Sequence, residues 1–340
     1  MKNFIKVMAG FFLSATMVTA SFADVTVGEL EGFTGPIESM AGPMSNGANL
    51  AVTEANASGK FLQGTITVHA GDSTCIDSAA AISEAERLIN DHNVMAIMGP
   101  NCSGATGAVV SNVSVPNAVL TISNAATSPG LSDIVDEGMF FRTAPSDTIQ
   151  AAVLAKVAIS KGITDMAVTH SNSDYGKGLA DSFVAQYVAA GGTVTVMSGH
   201  EDDKADYSAD VAALSAGGST TLAVFGYADT GGKGIVTASE DTGAFMDYVF
   251  ADGMMSETIS GLVADGSWGT KPAPSADLAA EWLVVAAAGG VDGNGVFTGE
   301  SYDAMALIIL AAQAAGSTDS AAMAAEVMNI ANAPGIQCKA

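Results

Sequence analysis

Residues 81–128 read AISEAERLINDHNVMAIMGPNCSGATGAVVSNVSVPNAVLTISNAATS, and this stretch decides the fold. Ala81, Ile82, Ala85, Leu88 and Ile89 recur at the three- and four-residue spacing of one apolar helix face. Residues 94–98 are then apolar without a break, too short a run for a helix and suited to a strand buried on both sides. Gly99-Pro100-Asn101-Cys102-Ser103-Gly104 ends that run, residues 103–112 return to a helical pattern, and 118–122 give a second apolar strand. Strand, helix and strand in this order make a βαβ unit of a parallel sheet.

The same rhythm continues in both directions. Upstream lie strand-like runs at 25–30 and 65–70, separated by an amphipathic stretch with Leu50, Ala51, Glu54 and Ala55. After Phe140-Phe141-Arg142 the pattern restarts, with strands expected at 166–169, 194–197, 222–225 and 248–251. Helices are expected at 148–160, 178–190, 207–214, 234–242 and 320–330. The fold class is therefore α/β, with two similar Rossmann-like lobes built on parallel sheets and joined by a hinge. In such sheets ligands sit beyond the carboxyl ends of the strands, and two facing lobes make a cleft there.

Composition excludes several functions. The 340 residues carry 12 Lys and Arg against 36 Asp and Glu, a net charge of −24. Nucleic acid and anionic membrane surfaces are thus disfavoured partners, because the Coulomb term would oppose binding over most of the surface. With 49% hydrophobic and 14% charged residues the chain has ample material for cores and does not read as disordered.

Residues 1–23 read as an export signal. Lys2 and Lys6 precede an apolar segment, and Ser21-Phe22-Ala23 offers small residues at a cleavage site. The expected location is the periplasm, where disulfides persist. Of the three cysteines, Cys75 and Cys102 each follow a strand, so a bridge fits if those strands are neighbours; two free thiols are the other option. Cys338 is left over.

The loops at strand exits are the candidates for a site. They are 99–104, 123–129, 171–176, 226–229 and 251–253, small and hydroxyl-rich or acidic, with Tyr175 and Tyr227 among them. Catalytic and cofactor motifs fail. The Gly176 and Gly232 segments lack the third glycine of a dinucleotide fingerprint, and Lys233 is followed by Gly234 instead of the Ser or Thr of a P-loop. There is no G-x-S-x-G elbow, and the four histidines share no metal-ligand spacing. Asp292-Gly293-Asn294 begins like a calcium loop but has Phe297 where Gly is needed. No cofactor, metal site or enzyme activity is expected.

Taken in order, several segments resemble one family: Gly32 to Pro36, Gly99-Pro100-Asn101-Cys102-Ser103, Ser123-x-Ala125-Ala126-Thr127-Ser128-Pro129, Tyr175-Gly176-x-Gly178 and Ser301-Tyr302-Asp303-Ala304. Together with the export signal they look like the leucine/isoleucine/valine-binding proteins, the periplasmic components of branched-chain amino-acid ABC importers. The resemblance spans nearly the whole chain after the signal. It implies a type I periplasmic binding protein fold, a hinged clamp that closes on an amino acid, acts as a monomer and serves an inner-membrane ABC permease.

By position, the resemblance implies that Ser103 and Thr127 bind the ligand carboxylate and that the Ala125 backbone carbonyl accepts from the ammonium, with Ala126 beside it in the ligand site. Tyr175 and Tyr227 would be pocket tyrosines of the second lobe, Asp252 the acidic ammonium partner, and Phe297 and Met40 the walls around the ligand side chain. Cys75 and Cys102 match a family disulfide. Each residue also has a plainer role available: Ser103 as a helix cap, Thr127 and Asp252 as turn residues, the tyrosines as packing. Asp252 is shorter than the usual Glu and Met40 replaces an aromatic residue, so the resemblance does not carry strict leucine specificity. The implied organisation is a first lobe of 24–142 plus 266–331, a second lobe of 143–265, and a tail at 332–340 that is short for the family. A ligand-sensing module for a membrane receptor is the alternative function, with an exported hydrolase third.

Overall fold

The computed structural model describes residues 24–263 and 265–332. The expected signal segment 1–23, residues 333–340 of the tail and Cys338 lie outside them. Among the described residues no helix is long and apolar enough to cross a membrane.

Two five-stranded parallel sheets form the frame. The first contains β1 (Val25–Glu31), β2 (Ile66–Asp72), β3 (Ala96–Met98), β4 (Leu120–Ser123) and β5 (Phe140–Arg142), in the order β2-β1-β3-β4-β5. The second contains β6 (Asp165–Ser171), β7 (Thr193–His200), β8 (Thr221–Phe225), β9 (Asp247–Phe250) and β10 (Trp268–Gly269), in the order β10-β9-β8-β6-β7. Read from the second strand of each lobe, the two orders are the same. Each sheet therefore reverses its winding beside its first strand, between β1 and β3 and between β6 and β8. A crevice opens at such a reversal.

Twelve helices are formed by the described residues. In the first half they are α1 (Glu38–Ser58), α2 (Ser78–His92), α3 (Ser103–Val109) and α4 (Val115–Asn117), the last two joined by a π-helical turn at Val110–Ser114. Next come α5 (Asp147–Ser160), α6 (Asp174–Ala189), α7 (Ser208–Ser215), α8 (Gly231–Thr242) and α9 (Glu257–Ser260). The chain ends with α10 (Ala276–Ala288), α11 (Thr298–Ala315) and α12 (Ser320–Ala331). Side-chain caps fix several of the starts. Asp77 accepts from the N–H groups of Ala79 and Ala80, Ser146 from Thr148, and Ser173 from Gly176. These bonds satisfy donors that a helix leaves open in its first turn.

The central strands are buried on both faces, as helices on each side of a parallel sheet require. β7, at an edge, is only half covered. α11 and α12 return to cover the first sheet, where Met305, Ile308 and Met323 pack with Val25, Val27 and Ile122. The sequence-based boundary assigned residues from 266 to the first lobe. Instead β10 pairs with β9, so by sheet membership the return begins after Gly269.

Candidate functional site

Glycines set the strand exits. Gly99 has φ +100, and a Cβ there would lie 2.0 Å from the Leu30 carbonyl oxygen, so no other residue fits beside β1. Asn101 Oδ1 then accepts from the Gly32 N–H at 3.0 Å and ties the exits of β1 and β3 together. Cys75 and Cys102 form a disulfide with their Cα atoms 5.2 Å apart, joining the loop after β2 to the residue just before α3. Ser103 is thereby held at the start of α3.

In the second lobe Gly176 plays the corresponding part. A Cβ there would meet the Ser171 carbonyl oxygen at 2.7 Å and that of Phe225 at 2.9 Å. Without a side chain, the first turn of α6 sits directly on the ends of β6 and β8 and directs Tyr175 across the exit of β9. The Tyr175 hydroxyl donates to Asp252 Oδ1 at 3.2 Å and accepts from the Gly253 N–H at 3.0 Å. Its ring stacks on Tyr227, centroids 5.2 Å apart.

These two clusters face each other. Ser103, Ala125, Tyr175, Tyr227 and Asp252 line one cavity between the lobes, and Met40, Met44 and Phe297 form its apolar side. The volume is about 20 Å³, little more than a water requires, so a larger guest enters only when the lobes part. Contacts across the mouth hold them together. The Asp229 N–H donates to Pro36 O at 3.2 Å, and Asp229 Oδ2 accepts from the Ser39 N–H at 2.8 Å.

Two expected residues stand apart from the cavity wall. Ala126 is fully buried, its N–H donates to Ser123 Oγ and its carbonyl accepts from Arg142. Thr127 is also fully buried, with its carbonyl bonded to the Asp147 N–H and its hydroxyl unpartnered. Ala125, by contrast, lines the cavity, and among the described residues no donor reaches its carbonyl. Ser103 Oγ accepts from the Ser128 N–H at 3.1 Å, which leaves its own proton for a second partner.

The structure adds residues that the strand-exit argument missed. Asp147, the first residue of α5, is wholly buried beside Thr127 and Asp252, and neither of its carboxylate oxygens has a partner. Burial pushes its carboxyl well up, Asp252 adds to the rise, and Thr127 and Arg142 oppose it. Burial likewise pushes Asp252 up to about 6 against the hydrogen bonds that favour its anion, that from Tyr175 among them. Gln150, one turn along α5, anchors its amide to Thr270 where the chain returns to the first lobe. The available signal was the run Arg142-x₄-Asp147-x₂-Gln150, polar residues at a crossing between lobes instead of at a strand exit.

The arrangement has a definite chemistry. The cavity wall carries one buried carboxylate, Asp252, with Asp147 next to it outside the wall, and from the first lobe the Ser103 hydroxyl and the Ala125 backbone. Such a site neutralises a cationic group and an anionic group carried by the same small molecule.

Comparison with known proteins bears on the family and the fold. A family model described as periplasmic binding protein matches residues 24–334. The Leu/Ile/Val-binding protein BraC3 of Rhizobium johnstonii is 28% identical over 323 residues, which are 91% of this chain and 86% of that protein. Among solved structures, a branched-chain amino acid transporter substrate-binding protein of Streptococcus pneumoniae, in complex with isoleucine, superposes with a TM-score of 0.76. It is 24% identical and covers 90% of this chain and 88% of its own. A solute-binding protein of an ABC transporter from R. palustris, in complex with 4-hydroxybenzoate, also gives 0.76, at 20% identity and with 90% and 84% covered. At these identities the structural likeness speaks for the fold.

Proposed function

The chain belongs to the periplasmic binding protein family, and on that premise we propose that it captures a small aliphatic amino acid, branched-chain or similar, between its lobes for delivery to an inner-membrane ABC importer. The observation that carries this reading is the opposition across one cavity of Asp252, with Asp147 behind it, to Ser103. An α-amino acid brings an ammonium to the first pair and a carboxylate to the second. A hydroxybenzoate, the ligand of the R. palustris neighbour, has no cation to offer two buried acids and would leave them unpaired at a cost of several kcal/mol. The apolar side favours an aliphatic tail, and Met40 and Met44 can re-pack around tails of different shape.

The mechanism is capture and closure. With the lobes apart, Ser103 and the N–H groups at the start of α3 receive the carboxylate. Closure brings Tyr175, Tyr227 and Asp252 over the ammonium, and the contacts of Asp229 with Pro36 and Ser39 latch the closed form. Lobe one is then 24–142 with the segment after Gly269, and lobe two is 143–269. One chain supplies both sides of the site, so a monomer suffices. Residues 1–23 carry it to the periplasm. Binding without turnover fits Ser103, whose hydroxyl is held by a backbone N–H in a cavity whose described lining includes no histidine or lysine.

The test is titration calorimetry on the folded protein with a panel of amino acids and with 4-hydroxybenzoate. Micromolar affinity for an aliphatic amino acid, on the order of −8 kcal/mol, is expected. Absence of heat and of any thermal shift with every amino acid would refute the reading.

A further inference from the structure

The first lobe contains a second pair of buried acids that the cleft does not use. Glu29 and Glu31 lie two apart on β1, so their side chains leave the same face of the sheet, toward α1 and α11. They are 2% and 0% exposed. Each has one satisfied oxygen. Glu29 Oε2 accepts from Asn49 of α1 at 3.2 Å, and Glu31 Oε1 accepts from Asn124, at the exit of β4, at 2.7 Å. The other oxygens, Glu29 Oε1 and Glu31 Oε2, have no partner among the described residues.

Asn124 reaches Glu31 and is itself wholly buried. Its amide nitrogen bonds both Glu31 and Ser301 Oγ of α11, while its own Oδ1 is unpartnered. Thr298 Oγ1, at the start of α11 one turn before Ser301, is buried and unpartnered as well. The groups that face the pair are therefore amides and hydroxyls: Ser45 and Asn49 from α1, Asn101 and Asn124 from the loops, Ser301 from α11. None is Lys, Arg or His. The described ion pairs, Arg87 with Glu84, Lys177 with Asp181 and Lys204 with Asp210, all lie elsewhere.

What is unsatisfied here is oxygen lone pairs. Glu29 and Glu31 are electrostatic neighbours, Asn124 is bonded to Glu31, and each keeps one oxygen without a donor; oxygens of this kind beside up to two negative charges are what hard cations take as ligands. We propose that Glu29, Glu31 and Asn124 bind a hard, oxygen-seeking cation of the calcium or sodium kind inside the first lobe. Among the described residues no three His, Cys, Asp or Glu side chains converge, so the site relies on amide and hydroxyl oxygens and on water to complete its shell. Burial, followed for Glu31 by the charge of Glu29, pushes both carboxyls up, which is the penalty a bound cation relieves. The site is independent of the amino-acid reading.

The experiment uses the full chain, stripped with chelator and followed by thermal unfolding as Ca²⁺, Mg²⁺, Na⁺ or K⁺ is added at constant ionic strength. Ca²⁺ or Na⁺ should raise the melting temperature by on the order of 5 °C at a hundredfold excess over Kd, and the ion that does so names the occupant. The Glu29→Gln/Glu31→Gln variant keeps the shape of both side chains and should lose that shift. A shift equal in parent and variant would assign the ions to the acidic surface and overturn the proposal. No shift in the parent would overturn it too, leaving the pair to share a proton. If the variant does not fold, equilibrium dialysis of the parent against Ca²⁺ and Na⁺ decides: about one ion per chain supports the site, and none removes it.

Discussion

Two pairs of carboxylates are buried among the described residues, and they differ in what they face. Asp147 and Asp252 come from different elements and meet at the crevice between the lobes, where one of them lines a cavity that opens to solvent when the lobes part. Glu29 and Glu31 share one strand, and the side chains bonded to them, Asn49 and Asn124, belong to the first lobe alone. Burial raises all four carboxyls. A charge that costs free energy when bare suits reversible capture in the first place and a permanent occupant in the second. The lesson is that burial alone does not identify a binding residue; its position relative to the moving surfaces does.

The largest effect should come from breaking the cleft pair. Asp252→Asn should weaken amino-acid binding by about 4 kcal/mol, close to a thousandfold, because the ligand ammonium loses the charge it was desolvated against. Its melting temperature without ligand should hold or rise, since a buried bare charge is removed. Glu31→Gln should leave amino-acid affinity within about threefold of the parent. Calorimetry on both variants checks the contrast, and comparable losses in the two would erase the distinction between the pairs.

Next in size is the disulfide. Cys75 and Cys102 are 27 residues apart, and opening such a loop costs about 3 kcal/mol on a chain-entropy basis. The Cys75→Ser/Cys102→Ser variant should melt several degrees lower, and its affinity should fall as well because Cys102 immediately precedes Ser103. Denaturant titration gives the first quantity and calorimetry the second. A variant with unchanged affinity would show that the start of α3 is held without the bridge.

These residues also show what the sequence could tell. The short, mostly apolar runs of β3, β4 and β8 were legible because strands buried on both faces need them, and the loops after them followed from the winding of parallel sheets. The strand-exit loops contain Ser103, Tyr175 and Asp252, and the family resemblance singles them out within the loops. Asp147 was not legible, because an acid just after a Ser cap is what any helix start favours, and only the crossing of the chain between lobes gives it another use. Glu29 and Glu31 were hidden for the opposite reason. The alternation Val25, Val27, Glu29, Glu31 describes a strand with one face running from apolar to polar, as at a solvated end, whereas α11 arrives from more than 260 residues later to cover it. The two-residue β10 carried no pattern at all, which is why the return to the first lobe was placed a few residues early.

Acidity gives a smaller effect that separates the pairs again. Asp252 titrates near 6 in the fold, against 3.8 for the ordinary side chain, so the native state takes up its proton before the unfolded chain does. Stability of the ligand-free protein should therefore rise as pH falls from about 6 toward 4, with Asp147, Glu29 and Glu31 adding in the same direction. Amino-acid binding needs the anion and runs the other way, weakening about tenfold from pH 7 to pH 5. Affinity should lose this dependence in Asp252→Asn and keep it in Glu29→Gln/Glu31→Gln. A pH profile of affinity that follows the second variant would place the titrating group in the wrong lobe.

The smallest expected change tests the other end of the ligand. Ser103 Oγ is fixed by the Ser128 N–H, so its remaining proton can serve the ligand carboxylate, but the open N–H groups at the start of α3 serve the same atoms. Ser103→Ala removes one hydrogen bond of several and leaves the Ser128 N–H without its acceptor. The loss in affinity should be about 1–2 kcal/mol, roughly five- to thirtyfold, and it should be the same at pH 7 and pH 5 because no titrating group is involved. Calorimetry at the two pH values checks this. A loss that vanished at low pH would mean that Ser103 acts through the acidic end of the cavity instead of on the carboxylate opposite it.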